Sequence, residues 1–146
     1  MELTIKRPDY IKEKSMAPKL KTDSKYLDVM EELKKREPIF HHPEYGTKRE
    51  DFERMTEETF WEVGASGQCY SRNFVLDTLD KRFKNPPMDE WEIKDFSCLE
   101  IAENNYLVTY TLIQDKKRIT RRSTIWKKYD NDWKIVYHQG TIVEGS

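Results

Sequence analysis

The polar side chains best suited to chemistry lie near the end of the chain, in the segment 118–143. Two runs of alternating apolar and polar residues flank the turn-forming segment 129–132, which predicts a β-hairpin. A three-residue turn would place Thr124 opposite His138 and Trp126 opposite Val136. Because side chains alternate along a strand, one face would then carry Arg122, Thr124, Trp126, Val136 and His138. A guanidinium, a hydroxyl and an imidazole on one face could bind an anionic or carbonyl group and exchange a proton.

That face needs a covering layer, which the first half of the chain supplies as helices. Apolar residues at helical spacing predict a first helix over 24–37, capped by Asp23 or Ser24. Thr47 and Glu50 form a capping-box pattern before a second helix over 48–55, and Ser71 caps a third over 72–83. Strands are predicted over 60–63, 91–101, 106–113, 119–129 and 133–143. This order predicts an α+β fold with helices packed on the concave face of a curved antiparallel sheet.

Length and composition favour one water-exposed domain. The 146 residues fit a single domain over 24–146, preceded by an N-terminal extension over 1–23 that lacks sustained periodicity. A formal charge of -1 gives no global case for nucleic acid or a membrane surface, and the first twenty residues contain no apolar run of membrane length. Cys69 and Cys98 lie far apart, which favours reduced thiols and a cytoplasmic location, although a disulfide stays possible.

Three further groups of charged residues are candidate sites. His41 and His42 lack a nearby third ligand, so we predict no metal and no cofactor. Acidic residues interleave with the basic residues of the extension and border those of the segment 116–128. We therefore interpret both sets of basic residues as solvated surface rather than as nucleic-acid contacts.

Three stretches, in order and spacing, resemble a known family. They are Leu33-Lys34-Lys35-Arg36-Glu37 with Pro43-Glu44 downstream, then 60–67 (FWEVGASG) leading to Tyr70-Ser71-Arg72, and finally 122–126 (RSTIW) with Trp133 and 138–141 (HQGT). Together they are similar to the domain of unknown function 4440 family, within the nuclear transport factor 2-like superfamily, over residues 25–143. The resemblance implies a cone-shaped fold with a pocket between the helices and the sheet, commonly dimeric through the outer sheet face. It implies no single reaction, because the superfamily includes ketosteroid isomerase, cyclases, dehydratases and association domains.

The chemistry of ketosteroid isomerase requires a carboxylate base, which the resemblance would place near the end of the first strand. Glu62 is the acid at that place, on the face opposite Trp61 and Val63. It is the best base if it points inward, but glutamates are usually exposed, so we expect an outward side chain. Superfamily geometry would also aim Tyr110 into the cone. The resulting site candidates are Trp61, Tyr110, Arg122, Thr124, Trp126 and His138 for binding, with His138 and Glu62 for catalysis.

The sequence is compatible with two functions. The first is a small-molecule-binding domain, catalytic in the manner of an isomerase, cyclase or dehydratase, that takes an anionic or carbonyl ligand. The second is a non-catalytic association module, in which Arg122 pairs with a helix carboxylate and His138 bonds to backbone. A homodimer is expected in either case, through the outward positions Ile119, Arg121, Ser123, Ile125, Ile135, Tyr137 and Gln139.

Overall fold

The computed structural model describes residues 16–82 and 89–145. Within these residues, three α-helices precede or interrupt a sheet of six strands. The helices are α1 (Leu27–Arg36), α2 (Arg49–Met55) and α3 (Arg72–Arg82), and short 3-10 turns cover Ser24–Tyr26, Glu37–Phe40 and Pro43–Tyr45. The strands are β1 (Thr56–Val63), β2 (Cys69–Ser71), β3 (Trp91–Ala102), β4 (Asn105–Gln114), β5 (Arg118–Tyr129) and β6 (Asp132–Ile142). The predicted α+β order is confirmed.

The helix starts follow local capping chemistry. Asp23 Oδ1 accepts from the Lys25 backbone N–H at 3.1 Å, and Ser71 Oγ accepts from Phe74 N–H at 3.2 Å, so both predicted caps are confirmed. The capping box expected at Thr47 is wrong in position. Asp51 Oδ2 instead accepts from the backbone N–H groups of Thr47 and Lys48, because the helix begins at Arg49.

The sheet is mixed rather than wholly antiparallel. Its strand order is β2-β1-β6-β5-β4-β3, and β1 runs parallel to β6 while every other pair is antiparallel. A parallel pair requires a crossover, which here consists of β2, α3 and the meander β3-β4-β5. Sequence reasoning missed β2, since three residues are too few to show alternation. The long crossover brings the end of β1 beside the middle of β6.

A β-bulge corrects the predicted hairpin register. Thr124 pairs with His138 as expected, but Trp126 pairs with Ile135 rather than Val136. The turn has two residues instead of three, because Tyr129 pairs with Asp132, and one extra residue is taken up in β6. The bulge inverts the alternation near the turn. Trp133 and Ile135 therefore point into the core, at 4% and 2% exposure, and Ile135 is excluded from the outward set.

The core lies between the helices and the concave face of the sheet. Its largest fully buried side chain is Trp126, packed within one cluster that includes Leu33, Phe52, Leu76 and Val108. The end of the predicted extension contacts this domain, since Thr22 Oγ1 accepts from the backbone N–H of Cys98 at 3.0 Å. Cys69 and Cys98 are both free thiols, as expected. Across the described ranges, no helix has the length and apolar character needed to cross a bilayer.

Candidate functional site

A cavity of about 490 Å³ opens between α3 and the concave face of the sheet. Its apolar wall includes the rings of Phe40, Tyr70 and Phe74. The charged and imidazole side chains of its lining are three arginines, two glutamates and two histidines, namely Arg82, Arg118, Arg122, Glu37, Glu62, His41 and His138. An aromatic wall with a few charged groups is typical of small-molecule sites.

The sheet register places the polar side chains in two neighbouring rows. Glu62 on β1 pairs with His138 on β6, which in turn pairs with Thr124 on β5. In the next row, Gly140 on β6 pairs with Arg122 on β5. Because adjacent strands lie only about 5 Å apart, side chains in one row on the same face can contact each other. Glu62, His138 and Arg122 therefore meet at the cavity.

A chain of hydrogen bonds connects the cavity with a buried carboxyl group. Arg122 Nη1 lies 3.4 Å from His138 Nε2, and His138 Nδ1 lies 2.7 Å from Thr124 Oγ1. Thr124 Oγ1 also makes a short hydrogen bond to Glu37 Oε1. Glu37 reaches this position from the 3-10 turn Glu37–Phe40, where Pro38 kinks the backbone after α1. Four side chains from three elements thus form one polar network.

Burial perturbs the two carboxyl groups. Burial raises the pKa of Glu37 to about 7, opposed by the hydroxyl of Thr124 and the charge of Arg122. The Tyr110 hydroxyl and the Trp126 indole N–H also lie close enough to lower this pKa, but both remain without a hydrogen bond in the structure. Burial likewise raises the pKa of Glu62, against the opposing charges of Arg122 and Arg82.

Both cavity histidines are neutral. Burial, reinforced by the charge of Arg122, lowers the pKa of His138 to about 3. Burial, with Arg82 and Arg122, also lowers the pKa of His41 to about 3. At neutral pH each imidazole therefore carries a single proton. His138 is consequently a hydrogen-bonding group there rather than the proton-exchanging group expected from its ordinary pKa.

Neutral side chains hold Arg122 in place. Its Nε donates to Thr120 Oγ1 at 3.0 Å, and its guanidinium carbon lies 5.9 Å from the centre of the Trp91 ring. The Trp91 indole N–H donates to Asp89 Oδ2 at 2.6 Å, which fixes that ring. Among residues 16–82 and 89–145, no carboxylate forms an ion pair with Arg122. The association-module alternative expected Arg122 to pair with a helix carboxylate, and the described residues show no such ion pair.

The structure separates the predicted site residues into three groups. Arg122, His138 and Glu62 line the cavity. The expected outward orientation of Glu62 is wrong, because Glu62 pairs with His138 on β6 and shares its concave face. Thr124, Tyr110 and Trp126 are buried behind these residues. Trp61 does not line the cavity. It is 46% exposed and its ring lies 4.8 Å from that of Tyr137 on the outer face.

Among the charged and imidazole side chains of the lining, sequence reasoning missed four, which are Glu37, His41, Arg82 and Arg118. Glu37 belongs to the first of the three family-like stretches, but only the turn at Pro38 aims it at the sheet. Arg82 donates to the Phe40 carbonyl oxygen at 3.0 Å from the last turn of α3. Within the described part of the chain, no cluster of three His, Cys, Asp or Glu side chains could hold a metal ion.

The architecture matches many solved structures. A nuclear transport factor 2-like protein from Cytophaga hutchinsonii is 14% identical, with a TM-score of 0.63 over 84% of this chain and 100% of that one. The chain has the nuclear transport factor 2-like fold. A protein described as a candidate ketosteroid isomerase from Parabacteroides distasonis is 18% identical, with a TM-score of 0.58 over 88% of this chain and 98% of that one.

A third relative of this fold carries a different description. It is a candidate calcium/calmodulin-dependent kinase II association domain from Exiguobacterium sibiricum, 16% identical, with a TM-score of 0.56 over 87% of this chain and 99% of that one. No family model matches the sequence, and no curated protein does. At these identities the similarity shows the fold alone.

Proposed function

We propose that the chain is a small-molecule-binding protein whose cavity takes a ligand with a carboxylate or carbonyl oxygen. The observation that carries this proposal is Arg122, a half-buried guanidinium that borders the cavity and has no ion-pair partner among the described residues; burial lowers its pKa. A buried charge without a partner is costly, and an anionic or strongly polar ligand would compensate it. Arg82 and Arg118 add positive charge to the same cavity.

Within this proposal, Glu62 is the group that accepts a proton from the ligand. Its carboxyl borders the cavity beside His138 and makes no ion pair among the described residues. Burial raises its pKa toward the range in which a general base works well near neutral pH. Isomerisation or elimination next to a carbonyl would use such a base, with Arg122 stabilising the negative charge that develops on the oxygen. The solved relative described as a candidate isomerase supports this reaction class by fold alone.

Calorimetry with probes that fit the cavity tests the binding proposal. Phenylacetate and benzoylformate should bind, whereas phenethylamine should not, because the arginines repel its ammonium group. Arg122→Gln should weaken acid binding by roughly tenfold or more, since it removes a charge-assisted hydrogen bond worth ~1.5–3 kcal/mol. Arg121→Gln is the matched control, because Arg121 is the exposed neighbour on the opposite face. Equal loss in both variants, or no binding of either acid, would reject the proposal.

We also propose that the chain forms a homodimer through the outer face of the sheet. The exposed Trp61 and Ile142, with the Trp61-Tyr137 ring contact, give this face an apolar component. The relative described as an association domain agrees with such an assembly. If the dimer is the whole function, the chain is an association module and the acids will not bind. Light scattering should report a dimer that Trp61→Glu dissociates, while Leu27→Glu on α1, similarly exposed, leaves it intact.

Two finer assignments complete the proposal. We propose that the chain belongs to the domain of unknown function 4440 family, because its three ordered motifs resemble that family. Free thiols at Cys69 and Cys98 favour a reducing compartment such as the cytoplasm.

A further inference from the structure

The hydrogen-bond chain from Arg122 to Glu37 allows one order of donors and acceptors. A guanidinium only donates, so His138 Nε2, next to Arg122 Nη1, has to be the acceptor nitrogen. A neutral imidazole then carries its proton on Nδ1 and donates it to Thr124 Oγ1. The Thr124 hydroxyl, with its single hydrogen, donates in turn to Glu37 Oε1. This order holds whether or not the other oxygen of Glu37 is protonated.

The reverse order fails at the cavity end. If Glu37 donated to Thr124, the threonine hydroxyl would donate to His138 Nδ1, and the proton of the imidazole would sit on Nε2. Two N–H groups would then face each other across the 3.4 Å between His138 and Arg122. Glu37 and Thr124, at 6% and 0% exposure, therefore act as positioning residues that fix the tautomer of His138.

The fixed tautomer gives the cavity a donor beside an acceptor. Arg122 presents N–H groups and His138 presents the lone pair of Nε2, and both line the cavity. Their mutual contact is long at 3.4 Å, so a ligand can replace it with two shorter hydrogen bonds. The complementary ligand carries an oxygen acceptor next to an O–H donor. An ammonium donor is disfavoured, because Arg82, Arg118 and Arg122 surround the same space.

We propose that the cavity recognises a 2-hydroxy carboxylate or 2-hydroxy ketone, through Arg122 on the carboxylate or carbonyl oxygen and His138 Nε2 on the neighbouring hydroxyl. This inference rests on the proposed function and names the ligand class of the same site. In such a ligand the hydroxyl oxygen and the carbonyl oxygen are close enough for the first to contact His138 while the second contacts Arg122. The aromatic wall of Phe40, Tyr70 and Phe74 suits an apolar substituent on that carbon.

Calorimetry on the full chain with three matched acids tests this assignment. Mandelate has the hydroxyl, phenylacetate lacks it, and methoxyphenylacetate keeps the oxygen but cannot donate. Mandelate should bind roughly tenfold more tightly than either analogue, since neither analogue can donate a hydrogen bond to Nε2. Equal affinities for the three acids would overturn the hydroxyl recognition and leave the anion-binding proposal standing. Absence of binding by all three at millimolar concentration would overturn both.

A second measurement tests the tautomer without any ligand. Nitrogen NMR on the free protein should show His138 protonated on Nδ1 and unprotonated on Nε2. Its signals have to be assigned separately from those of the other two histidines. Thr124→Val removes the acceptor of the Nδ1 proton, so the tautomers should mix and the preference for mandelate should fall below about threefold. Thr124→Ser keeps the hydroxyl and should restore both readouts. If the valine variant does not fold, the wild-type spectrum and the serine variant decide. A wild-type His138 protonated on Nε2 would refute the inference.

Discussion

The buried carboxyl of Glu37 should make stability depend on pH in a way that a single substitution removes. Burial raises its pKa in the folded protein from the ordinary 4.5 to about 7. The folded state therefore retains a proton that the unfolded state has already released. The stability contributed by this proton is fully present below about pH 4.5 and is lost as the pH rises through 7. Each pKa unit corresponds to ~1.4 kcal/mol, so the total change is about 3 kcal/mol.

Glu37→Gln provides the test, because an amide keeps an oxygen for the Thr124 hydroxyl and does not titrate. The variant should become more stable relative to the wild type by about 3 kcal/mol between pH 4.5 and pH 8. Denaturant unfolding followed by tryptophan fluorescence at several pH values measures this difference. Glu58→Gln, at an exposed position on β1, is the control for a general charge effect. A difference between variant and wild type that stays constant across this range would refute the reasoning.

Three further predictions concern the core, the acid limit and the cavity. Trp126→Ala should lower the free energy of unfolding by ~3–5 kcal/mol in denaturant melts, and Trp133→Ala should lower it by a similar amount because the bulge turns Trp133 inward. A loss below about 1 kcal/mol for Trp133→Ala would contradict the bulge. Because burial lowers the pKa of His138 from 6.5 to about 3, the neutral ring contributes stability above pH 6.5 that is lost as the pH falls toward 3. His138→Gln should therefore flatten the acid side of the plot of unfolding free energy against pH, and an unchanged acid side would argue against a neutral buried ring. A Cβ at Gly140 would meet Ala65 at ordinary contact distance, 3.6 Å, so Gly140→Ala should fold normally and keep phenylacetate binding, whereas Gly140→Phe should fill the cavity and abolish it in calorimetry.

The sequence determined the elements and most of their order. Helical spacing of apolar residues gave α1 and α3, and period-two alternation gave the four long strands to within a few residues. These signals are local, because each element has to present one apolar face to a core. The same alternation placed Arg122, Thr124 and His138 on one face, since the bulge lies closer to the turn than these residues do.

Tertiary structure decided what local patterns do not encode. The parallel pairing of β1 with β6 joins segments separated by most of the domain, and it turns Glu62 toward the cavity and Trp61 toward the outside. The bulge in β6 shifts Trp133 and Ile135 inward, because one extra residue inverts the alternation without changing composition. Glu37 belongs to the site through packing of the turn after α1 against Thr124, a contact across 87 residues of sequence. Sequence periodicity fixes which face a side chain shares with its strand neighbours, whereas pairing between distant strands fixes which distant groups it meets.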